Sequence, residues 1–173
     1  MTAPRSPARG IACCVPGALL ALPAALATTH VVQAADAAGP AYPAGLASFQ
    51  ANCAVCHGPA GAGVPALAPP LLSYPARYAA SAEGRRQLAL TVLYGMFGDI
   101  SVGDQHFNFQ MPDFARLDDD TLAATLNFVL FDLDHAGSDV KPLSAAEVAA
   151  ERVHPMDGAA VREHRKSVAP VSP

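Results

Sequence analysis

The chain has 173 residues, with 11 basic and 15 acidic side chains, a formal net charge of −4 and no tryptophan. That length suits one domain with additions and excludes a large enzyme with a deep cleft between two domains. Hydrophobic types make up 51% and charged types only 15%. Alanine supplies much of the apolar share, so the figure overstates the core.

Residues 1–34 have the layout of a secretory signal peptide. Arg5 and Arg9 precede the apolar run "IACCVPGALLALPAALA", and small residues follow in "VVQAADA". Cleavage is placed after Ala34, with Ala27 as the alternative. Pro16 and Pro23 interrupt the run, which is shorter than the ~20 residues of a spanning helix. Removing this segment takes away two basic residues and no acid, leaving 9 against 15 and a charge of about −6. An acidic product argues against nucleic acid as a partner. It suits a partner with a positive docking face.

Residues 35–44, "ADAAGPAYPA", read as a flexible lead-in. In "GLASFQANCAVCH", the residues Leu46, Phe49, Ala51 and Cys53 recur at helical intervals, which predicts one short helix ending near His57. The glycine- and proline-rich stretch 58–78 lacks periodicity and reads as a long loop. A loop of that length usually wraps or does something. A helix is expected at about 82–96, capped by Ser81 and closed by Gly95 or Gly98. Residues 99–114 alternate around Gly103–Asp104, the pattern of a small hairpin. From 117 to 135, three acids at the start and a stripe of Leu122, Leu126, Val129, Leu130 and Leu133 predict another helix. The remainder is a polar tail with helical patterns near 144–152 and 157–165. The sum is an all-α domain of short helices and long loops whose core looks too small for its loops.

A missing core points to a cofactor. The stretch "NCAVCH" is a Cys-x-x-Cys-His motif, the attachment site of c-type haem. Cys53 and Cys56 lie one helical turn apart, so both sulfurs can form thioethers to one porphyrin, and His57 follows as an axial ligand. Two other uses of the cysteines fit less well. A redox dithiol wants a preceding strand and a helix starting at the first cysteine. A zinc site wants four ligands, and no second cysteine pair remains after residue 34.

Several segments resemble the class I monohaem c-type cytochromes: "GLASFQANCAVCHGPAGAG", "APPLL" and "LYGMFGDISVGDQHFNFQMPDFARLDDDTLAATLNFV". The likeness runs from about Gly45 to Leu133. It is strongest to bacterial periplasmic members that serve dehydrogenases and terminal oxidases. It implies the cytochrome c fold: short helices and long loops around one covalently attached haem c, with a small hairpin before the distal methionine. The domain boundaries become 1–34 signal peptide, 35–44 lead-in, 45–135 haem domain and 136–173 C-terminal extension.

The resemblance also implies site residues. Cys53 and Cys56 carry the haem, and His57 is the proximal ligand. The Met-Pro segment "MPDF" makes Met111 the distal ligand, a soft thioether that raises the reduction potential. A proline carbonyl in "APPLL", taken as Pro70 with Pro69 beside it, accepts from the second ring nitrogen of His57. Gly45, Phe49 and Phe128 fall where the first and last helices cross. Asn108 and Tyr94 are candidate propionate donors. Mitochondrial relatives place a tryptophan near a propionate, and this chain has none. His106 reads as a solvated hairpin residue, and Met96 as core.

A six-coordinate His/Met haem has no open site. The expectation is therefore one-electron transfer, as a periplasmic carrier or a small non-catalytic subunit. Its partners would be a dehydrogenase donor and an oxidase or other cytochrome acceptor, and association with a membrane-bound complex is compatible. The alternative is a haem enzyme or a gas- or peroxide-binding protein with an open or labile sixth position.

Overall fold

The computed structural model describes residues 39–168; the signal-peptide reading and most of the lead-in lie outside them. Seven α-helices and one two-stranded hairpin account for the regular structure of the described residues. They are α1 (Pro43–Asn52), α2 (Ala54–His57), α3 (Pro75–Ala79), α4 (Ala82–Tyr94), β1 (Ile100–Val102), β2 (Gln105–Phe107), α5 (Asp119–Asn127), α6 (Ala145–Arg152) and α7 (Gly158–Val168). A π-helical stretch, Phe128–Leu133, continues α5. The architecture is the all-α class expected, with its one hairpin placed before Met111.

Local chemistry sets most helix starts. The Ser81 hydroxyl accepts from Gly84 N–H at the start of α4, and the Asp118 carboxylate accepts from Thr121 N–H at the start of α5. Ser144 and Glu147 form a reciprocal capping box on α6. α1 has no such local cap. The two residues just before it are held from far away: Asp132 accepts from Ala41 N at 2.7 Å and Tyr42 N at 3.0 Å. Pro43 and Ala44, assigned to the lead-in by sequence, therefore open α1, and Ala41 and Tyr42 are tied down.

The single helix expected up to His57 is two, because Cys53 leaves regular helix between α1 and α2. The loop 58–78 is also not wholly irregular. An isolated bridge joins Val64 to Ala68, and α3 begins at Pro75. Asp134 supports that helix start, accepting from Ser73 N and from Ala76 N.

α1 crosses α5 and the π-helical stretch at close range. A Cβ on Gly45 would collide with the Ala124 carbonyl and the Phe128 side chain, so only glycine lets the backbones meet. Phe49, fully buried, packs on Phe128 with ring centroids 5.3 Å apart.

The larger core cluster lies on the other side. Leu93, Leu122 and Leu130 are buried there with Leu143 and Val148 from beyond residue 136. The extension folds back: α6 packs on α4 and α5, and α7 packs on α4. Val161 anchors α7 against Leu90 and Met96. No helix among the described residues is long and apolar enough to cross a membrane.

Candidate haem site

Two consecutive turns deliver the Cys-x-x-Cys-His residues. Cys53 N–H closes α1 on the Phe49 carbonyl at 2.8 Å, and His57 N–H returns to the Cys53 carbonyl at 3.0 Å. Cys53, Cys56 and His57 all border one cavity of about 230 Å³, far larger than a water-sized void. Its walls are mostly apolar, with Phe49, Leu67, Leu126 and Val129 among them. Both cysteines are free. Burial, with Cys56 adding to it and Arg116 opposing, pushes the Cys53 thiol up to about 11. A redox dithiol needs the reverse, a thiol whose pKa is lowered.

His57 is 8% exposed. Its Nδ1 lies 2.8 Å from the Pro69 carbonyl oxygen. A carbonyl only accepts, so Nδ1 carries the proton and Nε2 keeps its lone pair. Burial pushes the histidine below its ordinary value, against the opposing Pro69 bond, and so favours the neutral form that binds metal. The acceptor is Pro69 and not Pro70. The Val64–Ala68 bridge closes the loop immediately before Pro69, and that register sets which of two adjacent proline carbonyls meets the ring.

Met111 borders the same cavity. A backbone bridge holds it: Met111 N–H donates to the Met96 carbonyl at 2.8 Å and Met96 N–H to the Met111 carbonyl at 3.1 Å. Gly95, at φ 69°, permits this approach, because a Cβ there would strike the Met111 carbonyl. Met96 is 8% exposed and packs with Leu90 and Val161, while also touching the cavity.

The two propionate-donor assignments do not hold. Tyr94 turns away from the cavity, its hydroxyl 2.8 Å from the Arg152 carbonyl and 3.0 Å from that of Glu151. It ties α4 to α6. Asn108 is exposed and does not border the cavity. His106 is exposed beside Ser101 in the hairpin, as expected.

The sequence reading gave no role to Arg165. It reaches the cavity from α7. Arg165 follows Val161 by four residues, so both share the buried face of that helix, and that spacing is the signal that marks it.

The residues present fit a c-type haem. Two thiols and an imidazole with a free Nε2 border one apolar cavity, and a thioether side chain borders it too. A zinc site is not supported, since the described residues contain no cluster of three or more His, Cys, Asp or Glu.

Comparison with known proteins agrees. Residues 43–130 match the family model described as cytochrome c. Two relatives from Thermus thermophilus, both named cytochrome c-552, are 36% identical over 124 residues. The match covers 70% of this chain and 95% of one relative. It covers 84% of the other.

Proposed function

Because the chain belongs to the cytochrome c family, as a class I monohaem c-type cytochrome with one covalently bound haem c, we propose that its haem is held by Cys53 and Cys56 and ligated by His57 and Met111. Electron transfer with redox protein partners follows from the family; the site assignment says how this chain achieves it. When bound, the haem supplies a one-electron couple. The protein's residues do the rest. Pro69 holds the His57 ring in one orientation and one tautomer. The Met96–Met111 bridge positions the thioether. The apolar walls exclude water and lower the local dielectric.

The observation that carries this reading is the composition of the cavity wall. A catalytic haem usually needs a distal acid or base. No aspartate, glutamate or lysine side chain borders this cavity, and His57 is engaged at Nδ1. A carrier is the function such a wall serves. On this reading the chain is exported, works in the periplasm, and moves electrons between a dehydrogenase and a terminal oxidase or another cytochrome. It does so as a free carrier or as a small subunit, with a haem domain that opens at Pro43 with α1 and runs to 135, followed by the extension.

The test is an absorption series on the mature protein: ferric, ferrous, then ferrous with carbon monoxide. Sharp low-spin ferrous bands that ignore the gas are expected. Met111→Ala should turn the ferric form high-spin and let carbon monoxide bind within mixing time. A gas-binding unmutated protein would refute the Met111 assignment and favour a haem enzyme or sensor.

A further inference from the structure

Haem carries two propionate carboxylates, and a carboxylate placed against apolar walls is costly unless a cation or hydrogen-bond donors meet it. The cavity wall therefore has to supply a partner. Asn52, Gln87, Thr91, Gln110 and Thr125 contribute neutral polar groups, and Tyr74 and Tyr78 contribute hydroxyls. One permanently charged side chain borders the cavity among the described residues, and it is Arg165.

Arg165 is placed for this role and not consumed elsewhere. Val161 is fully buried on the same face of α7 and seats the helix against α4. The guanidinium lies 5.9 Å from the Tyr78 ring centroid, a cation–π contact. Nη2 donates to the Ser101 carbonyl at 3.1 Å. That uses one of five N–H groups. Arg85, Arg86, Arg152 and Arg162 each pair with a carboxylate. Arg165 pairs with none among the described residues. The result is a half-buried, pre-oriented guanidinium with spare donors at the edge of an apolar cavity, the arrangement that binds a carboxylate in two-pronged fashion.

We propose that Arg165 is the haem-propionate partner, so that the C-terminal extension completes the haem site. The inference rests on the haem reading above and goes beyond it. Residues 43–130, which match the family, hold the haem iron and the thioethers; a residue outside that span sets the charge at the propionate. Arg165 is a positioning and charge-setting residue. It couples the docking of α7 to the reduction potential.

The experiment is a potentiometric titration of holoprotein from pH 5 to 9, comparing unmutated protein with Arg165→Gln and Arg165→Met. Removing a positive charge beside the haem favours the ferric state, so both variants should have a lower midpoint potential. The freed propionate should titrate about 1–3 pH units higher, so the variants' potentials should rise as pH falls where the unmutated curve is flatter. His106, bonded to Ser101 Oγ, is common to all three proteins and cancels in the comparison. Arg165→Lys should restore much of the potential. A merely structural role would lower the melting temperature without a new pH slope. Variants whose potential–pH curves overlay that of the unmutated protein would overturn the proposal.

A second measurement needs no variant. The Arg165 Nε–H resonance should move between the ferric and ferrous states, and an unmoved signal would overturn the proposal independently. Failure of the haem reading looks different: the unmutated protein would lack covalent haem in its intact mass.

Discussion

The two sides of α4 are built on opposite principles. The side facing α1, α2 and the long loop is walled by apolar groups around a cavity, with a single arginine at its margin. The side facing α6 and α7 is laced with ion pairs. Arg85 meets Glu147 at 2.7 Å and Arg86 meets Glu151 at 2.9 Å, and next to them Arg152 of α6 meets Asp119 of α5 at 2.8 Å. Arg152 also donates to the carbonyls of Ala115 and Leu117. One side is finished by a cofactor and the other by its own side chains. The extension therefore supports the haem domain from behind and reaches the cavity at Arg165.

The comparison breaks most sharply at the cysteines. Cys53→Ser with Cys56→Ser should abolish covalent haem, read by intact mass. Tertiary signals from the cavity side should be lost, while helical circular dichroism from the α4–α6–α7 side persists in part. Equal collapse of both sides would mean that the second is not self-supporting.

A smaller effect is expected at Asn127. Its side chain donates to the Leu143 carbonyl at 2.9 Å and accepts from Leu143 N–H at 2.7 Å, all buried. Asn127→Ala strands both backbone groups, at about 1–3 kcal/mol each. Urea unfolding should show the loss, with the low-spin spectrum retained in the folded protein.

The smallest effect is on pH dependence. Hydrogen bonding to Arg85 holds the Glu147 carboxyl down at about 2, against an ordinary 4.5. The unfolded chain thus binds more protons between those values. The pair's contribution is full above about pH 4.5 and is lost as pH falls through about 2. Glu147→Gln should flatten the acid limb of the stability curve in that window, and an unchanged limb would show that the pair is screened by solvent.

What the sequence disclosed followed from local chemistry. Ser81 and the acids at 118–120 announce their helices, and Cys53, Cys56 and His57 announce the cofactor within six residues. What it withheld depends on distant partners. α3 starts where Asp134, 58 residues beyond Ala76, accepts its N–H, and no pattern within 75–79 reveals that. Pro69 and Pro70 are identical in type, so a one-residue register decided between them. Tyr94 reads as a propionate donor because the carbonyls of Glu151 and Arg152 that hold it lie 57 and 58 residues further along the chain. Arg165 was passed over for the same reason.

The π-helical stretch Phe128–Leu133 has one more consequence. At its end, Asp132 and Asp134 reach outward to two separate backbones, at Ala41–Tyr42 and at Ser73–Ala76. A wide turn of this kind holds one residue more than a regular helix would. Inserting one more residue within 128–131, where the surplus is already taken up, would rotate everything after it by about 100°. Both carboxylates would swing off their targets together, although every side chain needed for the contacts would still be present. Here the chain is counting residues rather than choosing them, and an error of one would unfasten its entry and its loop at once.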